Sequence, residues 1–503
     1  MLYGGAIHLA GSIKSRKTQR HAVSDWMEIE KQRGISVTSS VLQFDYAGCR
    51  INILDTPGHQ DFSEDTYRTL MAVDSAVMVI DVAKGVEAQT KKLFKVCKQR
   101  GIPIFTFVNK LDHYGKLPID IMDEIENVLG IRSYPMNWPI GQDGQYMGVY
   151  DRRNKKVLLF AADTTHGQEA RIADVYEPDD PAVIERIGED TWQALQDDIE
   201  LLDEAGEAFD MEKVNSGELT PMFFGSAMTN FGVQDFLEGY IRMAPTPQPR
   251  LSSDGLIAPD DEKFSGFVFK IQANMNPAHR DRLAFIRICS GKFERNMSVW
   301  HERSGKIIKL AQPQQFLAQD RQIIDTAYPG DIVGLFDPGI FGIGDTICDE
   351  SHKFKYADFP VFPPEKFARV QAKDTMKRKQ FVKGMEQIAQ EGAIQIFRDL
   401  GAGMEEVIVG VVGVLQLEVL EYRLKNEYNV DIRMQTLPYE HLRWVLNDPE
   451  ELDIKHLDVT SDTRAIEDMK GNPLLLFGSP WSINWAEQHN EALKLSEFGN
   501  LTF

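Results

Sequence analysis

From Val41 to about Gly130, short apolar runs alternate with stretches whose apolar residues recur at helical spacing. Arg50–Asp55 (RINILD) reads as a strand, and Asp61–Val73 (DFSEDTYRTLMAV) as a helix. Ser75–Asp81 (SAVMVID) has the continuous apolar character of a buried strand, and Val86–Arg100 (VEAQTKKLFKVCKQR) that of a helix. Ile102–Asn109 (IPIFTFVN) predicts a further strand and Pro118–Gly130 (PIDIMDEIENVLG) a closing helix. Strands that alternate with helices predict a parallel sheet covered on both faces. Such sheets gather their ligands at the carboxyl ends of the strands.

The pattern changes after the Pro- and Ser-rich stretch Ala244–Gly255. Between Phe264 and Asp349 short strands are punctuated by glycine (FSGFVFKIQA, RLAFIRICSGKF, MSVWHE, GDIVGLFD), which predicts a small β-barrel. From about Pro363 the order is strand (KFARVQA), helix ending near Gly392, two strands (AIQIFRD, EEVIVGVV) and a helix carrying Leu417, Leu420 and Leu424 on one face. Tyr428, Val430, Ile432 and Met434 then alternate at period two. The order β-α-β-β-α-β predicts a ferredoxin-like α+β domain. Beyond about Pro438 the pattern assigns little. The predicted organisation is an α/β domain over 1–245, a linker over 246–262, a β-barrel over 263–360 and an α+β domain over 361–503.

Composition narrows the class. A chain of 503 residues with 43% hydrophobic and 10% aromatic residues has ample core material for three domains. Its net charge of −21 argues against a protein that coats nucleic acid, though it does not exclude a local basic face on ribosomal RNA. Cys49, Cys97, Cys289 and Cys348 lie far apart without a CxxC, as in a reducing compartment with neither disulfide framework nor zinc site. The apolar run SAVMVIDVA is too short for a membrane helix. The first residues lack the basic start and uninterrupted apolar core of a signal peptide. A cytoplasmic protein without membrane contact is expected.

The chemistry-bearing residues sit at predicted strand ends. Asp55, Thr56, Pro57, Gly58 and His59 (DTPGH) follow the strand ending at Leu54. An aspartate there can hold Mg²⁺ through water, and a glycine lets a bare backbone N–H approach a γ-phosphate. His59 is then placed to orient an attacking water. Asn109, Lys110, Leu111 and Asp112 (NKLD) close the strand Ile102–Val108. A carboxylate at Asp112 can accept from the N1–H and N2–H of guanine, a donor pair adenine lacks. Asn109 suits the purine's acceptor side, and the stem of Lys110 can lie along the ring. Ser226 and the N–H of Ala227, in FFGSAM, offer a contact to guanine O6. In EKQRGIS a hydroxyl could coordinate Mg²⁺ while a γ-phosphate holds the loop closed, with Ser36 the first candidate and Thr38 the second. Singly, Asp-x-x-Gly is a common turn and Asn-Lys-x-Asp a weak signal. Together, each at a strand end, they point to a guanine nucleotide. In the barrel, Arg280 and Arg282 of NMNPAHRDR offer a basic loop for RNA, or an ordinary solvated hairpin.

These stretches resemble the translational GTPases related to elongation factors G and Tu, and within them the bacterial peptide chain release factor 3 family. SDWMEIEKQRGIS, LDTPGHQDFSEDTYRTL, FVNKLD, FVFKIQANMNPAHRDRLAFIRICSGKF, AYPGDIVGL and VGVLQLEVLEYRLKNEYNV carry the likeness from about Ala6 to Met434. The resemblance implies a P-loop-type GTPase domain that takes GTP or GDP with Mg²⁺. It places the Mg²⁺-binding hydroxyl at Ser36, with Asp55, and the water-aligning role at His59. It implies a monomer whose partners are the ribosome, through its RNA and proteins, and class I release factors, recycled after peptide release. The alternatives are an elongation-factor-like or ribosome-protection GTPase, or a ribosome-binding protein without nucleotide.

One expected motif departs from the pattern. Gly11–Thr18 (GSIKSRKT) approaches a phosphate-binding loop, but Arg16 stands at the second glycine, where a Cβ intrudes on the backbone cradle. The resemblance aligns this stretch after the first helix. The expectation is therefore that the first strand and phosphate-binding loop belong upstream of Met1, without which the nucleotide should bind poorly.

Overall fold

The computed structural model describes residues 27–141, 145–161, 173–273, 282–311, 313–317, 320–359, 361–448 and 452–499. After the short helix α1 (Glu28–Arg33), β1 (Ser40–Tyr46) and β2 (Cys49–Asp55) pair antiparallel from Ser40↔Asp55 to Tyr46↔Cys49. The connecting Ala47 and Gly48 have φ of 49° and 78°, the left-handed pair whose twist suits a two-residue hairpin. There follow α2 (Ser63–Leu70), β3 (Ala76–Asp81), α3 (Ala88–Gln99), β4 (Ile104–Asn109), α4 (Pro118–Leu129) and β5 (Arg132–Pro135). Next come β6 (Asn137–Ile140), β7 (Gly148–Asp151), β8 (Lys156–Phe160) and β9 (Ala173–Tyr176), an antiparallel sheet of their own. Helices α5 (Pro181–Ile187), α6 (Glu189–Ala205) and α7 (Met211–Asn215) lead to β10 (Leu219–Phe224) and α8 (Val233–Met243).

The parallel sheet has the order β3-β4-β10-β5. Its inner strands are buried along their lengths except at Asn109, as strands covered on both faces must be. The alternation along the chain puts β2 in this sheet as well. Instead β2 pairs with β1, and the ribbon lies on the next domain: Val41 and Leu54 share a core with Phe267, Phe269 and Phe285, and Gln43 Nε2 donates to Ile332 O at 2.9 Å. Strand patterning reports burial, and a half-buried strand reads alike whether its partner is parallel or antiparallel.

The Pro- and Ser-rich stretch contains a hairpin, β11 (Arg250–Ser252) with β12 (Gly255–Ile257), and the Arg250 guanidinium stacks 4.2 Å from the Phe267 ring centroid. Then follow β13 (Ser265–Ala273), β14 (Arg282–Ser290), β15 (Phe293–Glu294), β16 (Ser298–His301), β17 (Lys306–Lys309), β18 (Pro313–Leu317), β19 (Asp320–Ile323), β20 (Thr326–Ala327), β21 (Ile332–Phe336) and β22 (Thr346–Cys348). Eight of these form one antiparallel sheet, β17-β16-β22-β13-β14-β21-β18-β19, around Val268, Ile286, Phe293 and Ile347.

The last region begins with β23 (Lys366–Ala372), α9 (Arg378–Gln390), β24 (Gln395–Asp399), β25 (Glu406–Val411), α10 (Val414–Tyr428) and β26 (Ile432–Leu437). Ala368 and Val370 face α9 and α10, where Phe381, Met385, Leu417, Leu420 and Leu424 bury. Phe367 faces the opposite cluster with Leu442 and Ile466, the period-two division of a strand. The predicted alternation holds for Val430, Ile432 and Met434, which share the α9–α10 core, but Tyr428 ends α10, and Asn429, at φ 56°, turns the chain before β26. The residues left unread extend the same sheet. β27 (His441–Val445), β28 (Thr463–Asp468), β29 (Pro473–Phe477) and β30 (Leu495–Ser496), with α11 (Pro480–His489), continue the order as β26-β23-β25-β24-β28-β29-β27-β30. β28 hides because only Ile466 of its six residues is buried.

Gly384, inside α9, tests the α9–α10 packing. An exposed helical glycine gains about 1 kcal/mol on change to alanine. Here the new Cβ would lie 2.7 Å from Leu424 Cδ2 and 2.9 Å from Tyr428 Cγ. We expect Gly384→Ala to destabilise by about 1–3 kcal/mol in urea unfolding, reversing the usual sign.

Candidate nucleotide site

One group of predicted residues meets at the carboxyl ends of the parallel strands. Asp81 and Asn109 end β3 and β4 side by side. Lys110 takes φ 69°, turning the chain sharply, and Asn109 Oδ1 accepts from Lys110 N at 2.8 Å and from Ala227 N at 2.9 Å. Leu111 N donates to Gly225 O and Gly225 N to Val108 O, while the Leu111 side chain is buried in the core. Ser226 Oγ donates to Asp112 Oδ1 at 2.5 Å. The Asn109–Asp112 loop and the Gly225–Ala227 loop are thus stitched into one unit. Gly225 has a reason to be glycine: a Cβ would stand 2.5 Å from Phe231 O.

Two carboxylates outside the predicted set hold this unit. Asp81 Oδ2 accepts from Lys110 Nζ at 2.7 Å. Partial burial would raise the Asp81 carboxyl, but Lys110 and the Ala83 N–H hold it below the usual range. Beneath the loops, Asn137 Oδ1 accepts from Phe224 N at 2.7 Å, and Asn137 Nδ2 donates to Asp235 Oδ2 at 2.6 Å. Burial, helped by the neighbouring Asp151 charge, pushes Asp235 up to about 7.

The second group joins the Ser36 loop to the DTPGH turn. Gly34, at φ 66°, ends α1. The wholly buried Glu30 accepts from Val37 N at 2.9 Å, Thr38 N at 3.3 Å and Met27 N at 2.9 Å. Ile35 and Val37, flanking Ser36, pack with Phe62 of the turn and with Leu415 and Val419 of α10. Asp65, on α2, accepts from Ser39 N. Lys270, a buried cation on β13, donates to Thr38 Oγ1 at 2.6 Å, to Ser39 Oγ at 2.9 Å and to the Ser39 carbonyl, and lies 3.5 Å from Asp65 Oδ2. Burial depresses the lysine, partly offset by Asp65. Burial would raise Asp65, but Lys270, Arg68 and the Ser39 N–H hold it below the usual range.

Within DTPGH, Asp55 ends β2 and Thr56 is half-buried, while Pro57 is buried and its carbonyl accepts from Thr66 Oγ1 at 3.4 Å. Gly58 and His59 are exposed. Among the described residues, no atom beyond its two chain neighbours lies within 4 Å of where a Gly58 Cβ would stand. That leaves room for an approaching ligand, and the oxygen donors Ser36 and Asp55 are of the hard type that Mg²⁺ takes.

Two sequence expectations change or fall away. Arg282 is buried, with Nε 2.8 Å from Asp337 Oδ2 and Nη2 donating to Phe341 O at 2.8 Å, so it does not face RNA. Arg280 and the Gly11–Thr18 stretch lie outside the described residues. Glu30, Asp65, Asp81 and Lys270 were not anticipated. Lys270 alone left a signal, a charge in the middle of the apolar run FVFKIQA.

A parallel sheet that carries Asn109–Asp112 and Ser226–Ala227 on loops at its strand ends, with a DTPGH turn on the ribbon beside it, has the organisation of a GTPase domain. Residues 2–246 match the family model of the elongation factor Tu GTP binding domain, residues 263–350 that of elongation factor G domain 2, and residues 356–487 that of the class II release factor RF3 C-terminal domain. The chain is 56% identical over 493 residues to a peptide chain release factor 3 from Symbiobacterium thermophilum, covering 98% of this chain and 92% of that one. It is 53% identical to one from Listeria innocua (99% and 93% covered) and 50% identical to one from Trichodesmium erythraeum (99% and 91%). A crystal structure from Thermus thermophilus shares the fold at TM-score 0.68 and 19% identity, over 88% of this chain and 67% of that one. The chain belongs to the peptide chain release factor 3 family. Among the described residues no helix is long and apolar enough to cross a membrane.

Asp235 generates a pH prediction. Its folded-state value of about 7 exceeds the ordinary 3.8, so the folded chain holds the proton more tightly. The stabilisation is complete below about pH 4 and is lost as the pH rises towards 7. We expect Asp235→Asn to flatten that decline, by about 1–2 kcal/mol at pH 8 relative to pH 5 in urea unfolding. Lys270→Met should destabilise by about 3–5 kcal/mol, because it leaves Asp65 buried with its partner removed. Adding Asp65→Asn should recover part of that loss in the same unfolding assay.

Proposed function

We propose that the chain is a ribosome-dependent GTPase of translation termination that promotes dissociation and recycling of class I release factors after peptide release. The observation that carries this reading is the stitched pair of loops Asn109–Asp112 and Ser226–Ala227, read with the match of the last region to a class II release factor domain. Asp112 accepts from the two edge donors of guanine, and Asn109 addresses its acceptor side. Lys110, steadied by Asp81, lies along the ring. Leu111 contributes backbone alone, and Ser226 with the Ala227 N–H serves the O6 edge. Thr56, Pro57 and Gly58 present backbone to the γ-phosphate, and His59 orients the attacking water. Ser36 and Asp55 are the oxygens for Mg²⁺, which bound with GTP neutralises phosphate charge.

In this reading the domains span 1–245, 263–360 and 361–503, joined by a linker over 246–262. The middle one is a β-barrel. In the last, the order β26-β23-β25-β24, with α9 and α10 on one face, supports a ferredoxin-like unit. The protein acts as a cytoplasmic monomer on the ribosome.

Multiple-turnover peptide release on stop-codon ribosomes tests this. Catalytic amounts of the protein carrying a phosphate-binding loop, with GTP, should speed release-factor turnover, and His59→Ala in it should lower that effect about a hundredfold. Unchanged release-factor turnover with accelerated tRNA movement would favour an elongation-factor-like role. Absence of heat on calorimetric titration with GDP would favour a ribosome-binding protein that does not use nucleotide.

A further inference from the structure

The N-cap residue of helix α10 offers the first turn no side-chain cap. The position preceding its first residue is Gly413, with φ −140° and ψ 163°, and glycine has no side chain to offer the helix amides. Gln416 folds back to accept from Val412 N at 2.7 Å and Gly413 N at 3.2 Å, which serves the chain entering the helix. The Leu415 N–H, inside the first turn, is met from another domain: Asp61 Oδ2 accepts from it at 2.9 Å, across 354 positions of sequence. The fit leaves no spare room, since a Cβ on Gly413 would stand 1.9 Å from Asp61 Cγ and 2.2 Å from both carboxylate oxygens.

Asp61 is two residues past His59 and is bonded to it. Asp61 N donates to His59 Nδ1 at 3.2 Å, and Asp61 Oδ1 lies 3.4 Å from the same nitrogen. A neutral imidazole accepts from the Asp61 N–H at Nδ1 and therefore carries its proton on Nε2. A charged imidazole turns the same nitrogen toward the Asp61 carboxylate. In either state Asp61 addresses Nδ1 and leaves Nε2 for another partner. Phe62 anchors the other side of Asp61, packing with Val419 and Leu415 of the same helix.

We propose that Asp61 is a positioning residue that caps α10 in trans, so that the placement of the last domain sets the orientation of His59. Asp61 has a short side chain, so its bond from Leu415 N–H leaves little slack between α10 and the Asp61 backbone. A shift of α10 therefore draws the Asp61 backbone with it, and with that backbone the N–H on His59 Nδ1. The inference rests on the reading of His59 as the water-orienting residue for its consequence in turnover, but not for the coupling itself.

The coupling is testable in the 503-residue chain by NMR of Cε1-labelled histidine, with the His59 signal assigned by His59→Gln. Gly413→Ala keeps an allowed backbone and places a methyl group in the space of the Asp61 carboxylate. We expect Gly413→Ala and Asp61→Ala to move the His59 resonance in the same direction. Asp61→Asn, which retains an acceptor for Leu415 N–H, should stay near the unmodified chain. A His59 resonance unmoved in both Gly413→Ala and Asp61→Ala would overturn the proposal. In ribosome-stimulated GTP turnover, Gly413→Ala should lower kcat about ten- to hundredfold with KM within about twofold, and add nothing on a His59→Ala background. If His59→Ala itself leaves turnover intact, the catalytic reading of His59 fails while a moved resonance still upholds the coupling. If His59→Ala lowers turnover and Gly413→Ala does not, the coupling is refuted.

Discussion

A single buried ammonium holds the switch-like part of this molecule together. Lys270 projects from the middle domain into the space between the Thr38–Ser39 backbone and Asp65 of α2. An uncompensated charge there would be untenable, so Thr38, Ser39 and Asp65 must all be in place for the lysine to be buried. The loop carrying Ser36 and the helix after DTPGH, already joined by Ser39 N to Asp65, are therefore tied further by a residue belonging to neither. Around it, Arg68 of α2 donates to Gly392 O at 2.8 Å, Asp61 caps α10, and Arg33 pairs with Glu418. Every one of these contacts joins the nucleotide domain to one of the other two.

The Asn109–Ala227 side is built differently. Its loops are held by bonds within one domain: Asn109 to Ala227, Ser226 to Asp112, and Asn137 to Phe224. Such a site can keep its shape while the domains shift. The loop side is held partly from outside, since Ile35, Val37 and Phe62 pack with Leu415 and Val419 of α10 and Lys270 of β13 donates to Thr38 and Ser39.

Much of the local structure was legible from periodicity. β3 and β4 stand where SAVMVID and IPIFTFVN predict them, and β23 covers KFARVQA residue for residue. The burial of Leu417, Leu420 and Leu424 follows from their spacing. What periodicity missed was either half-exposed, like β28 with its lone buried Ile466, or a matter of partner choice, like β2. Around the site, the two strand-end motifs NKLD and FFGSAM meet as their places at neighbouring strand ends imply, Asn109 bonding Ala227 and Asp112 bonding Ser226. Glu30, Asp65 and Asp61 looked like ordinary solvated charges, since nothing local distinguishes a carboxylate that will meet a distant amide.

By itself, then, the sequence determined the elements, the family and the residues whose chemistry is written in a short motif, because each depends on neighbours a few positions apart. Tertiary structure alone decided which strand β2 joins, that Arg282 turns inward to Asp337, and that Lys270 and Asp61 reach other domains. Those outcomes depend on which hydrogen-bonding groups are left unsatisfied when whole domains meet, a condition that no stretch of the chain carries alone.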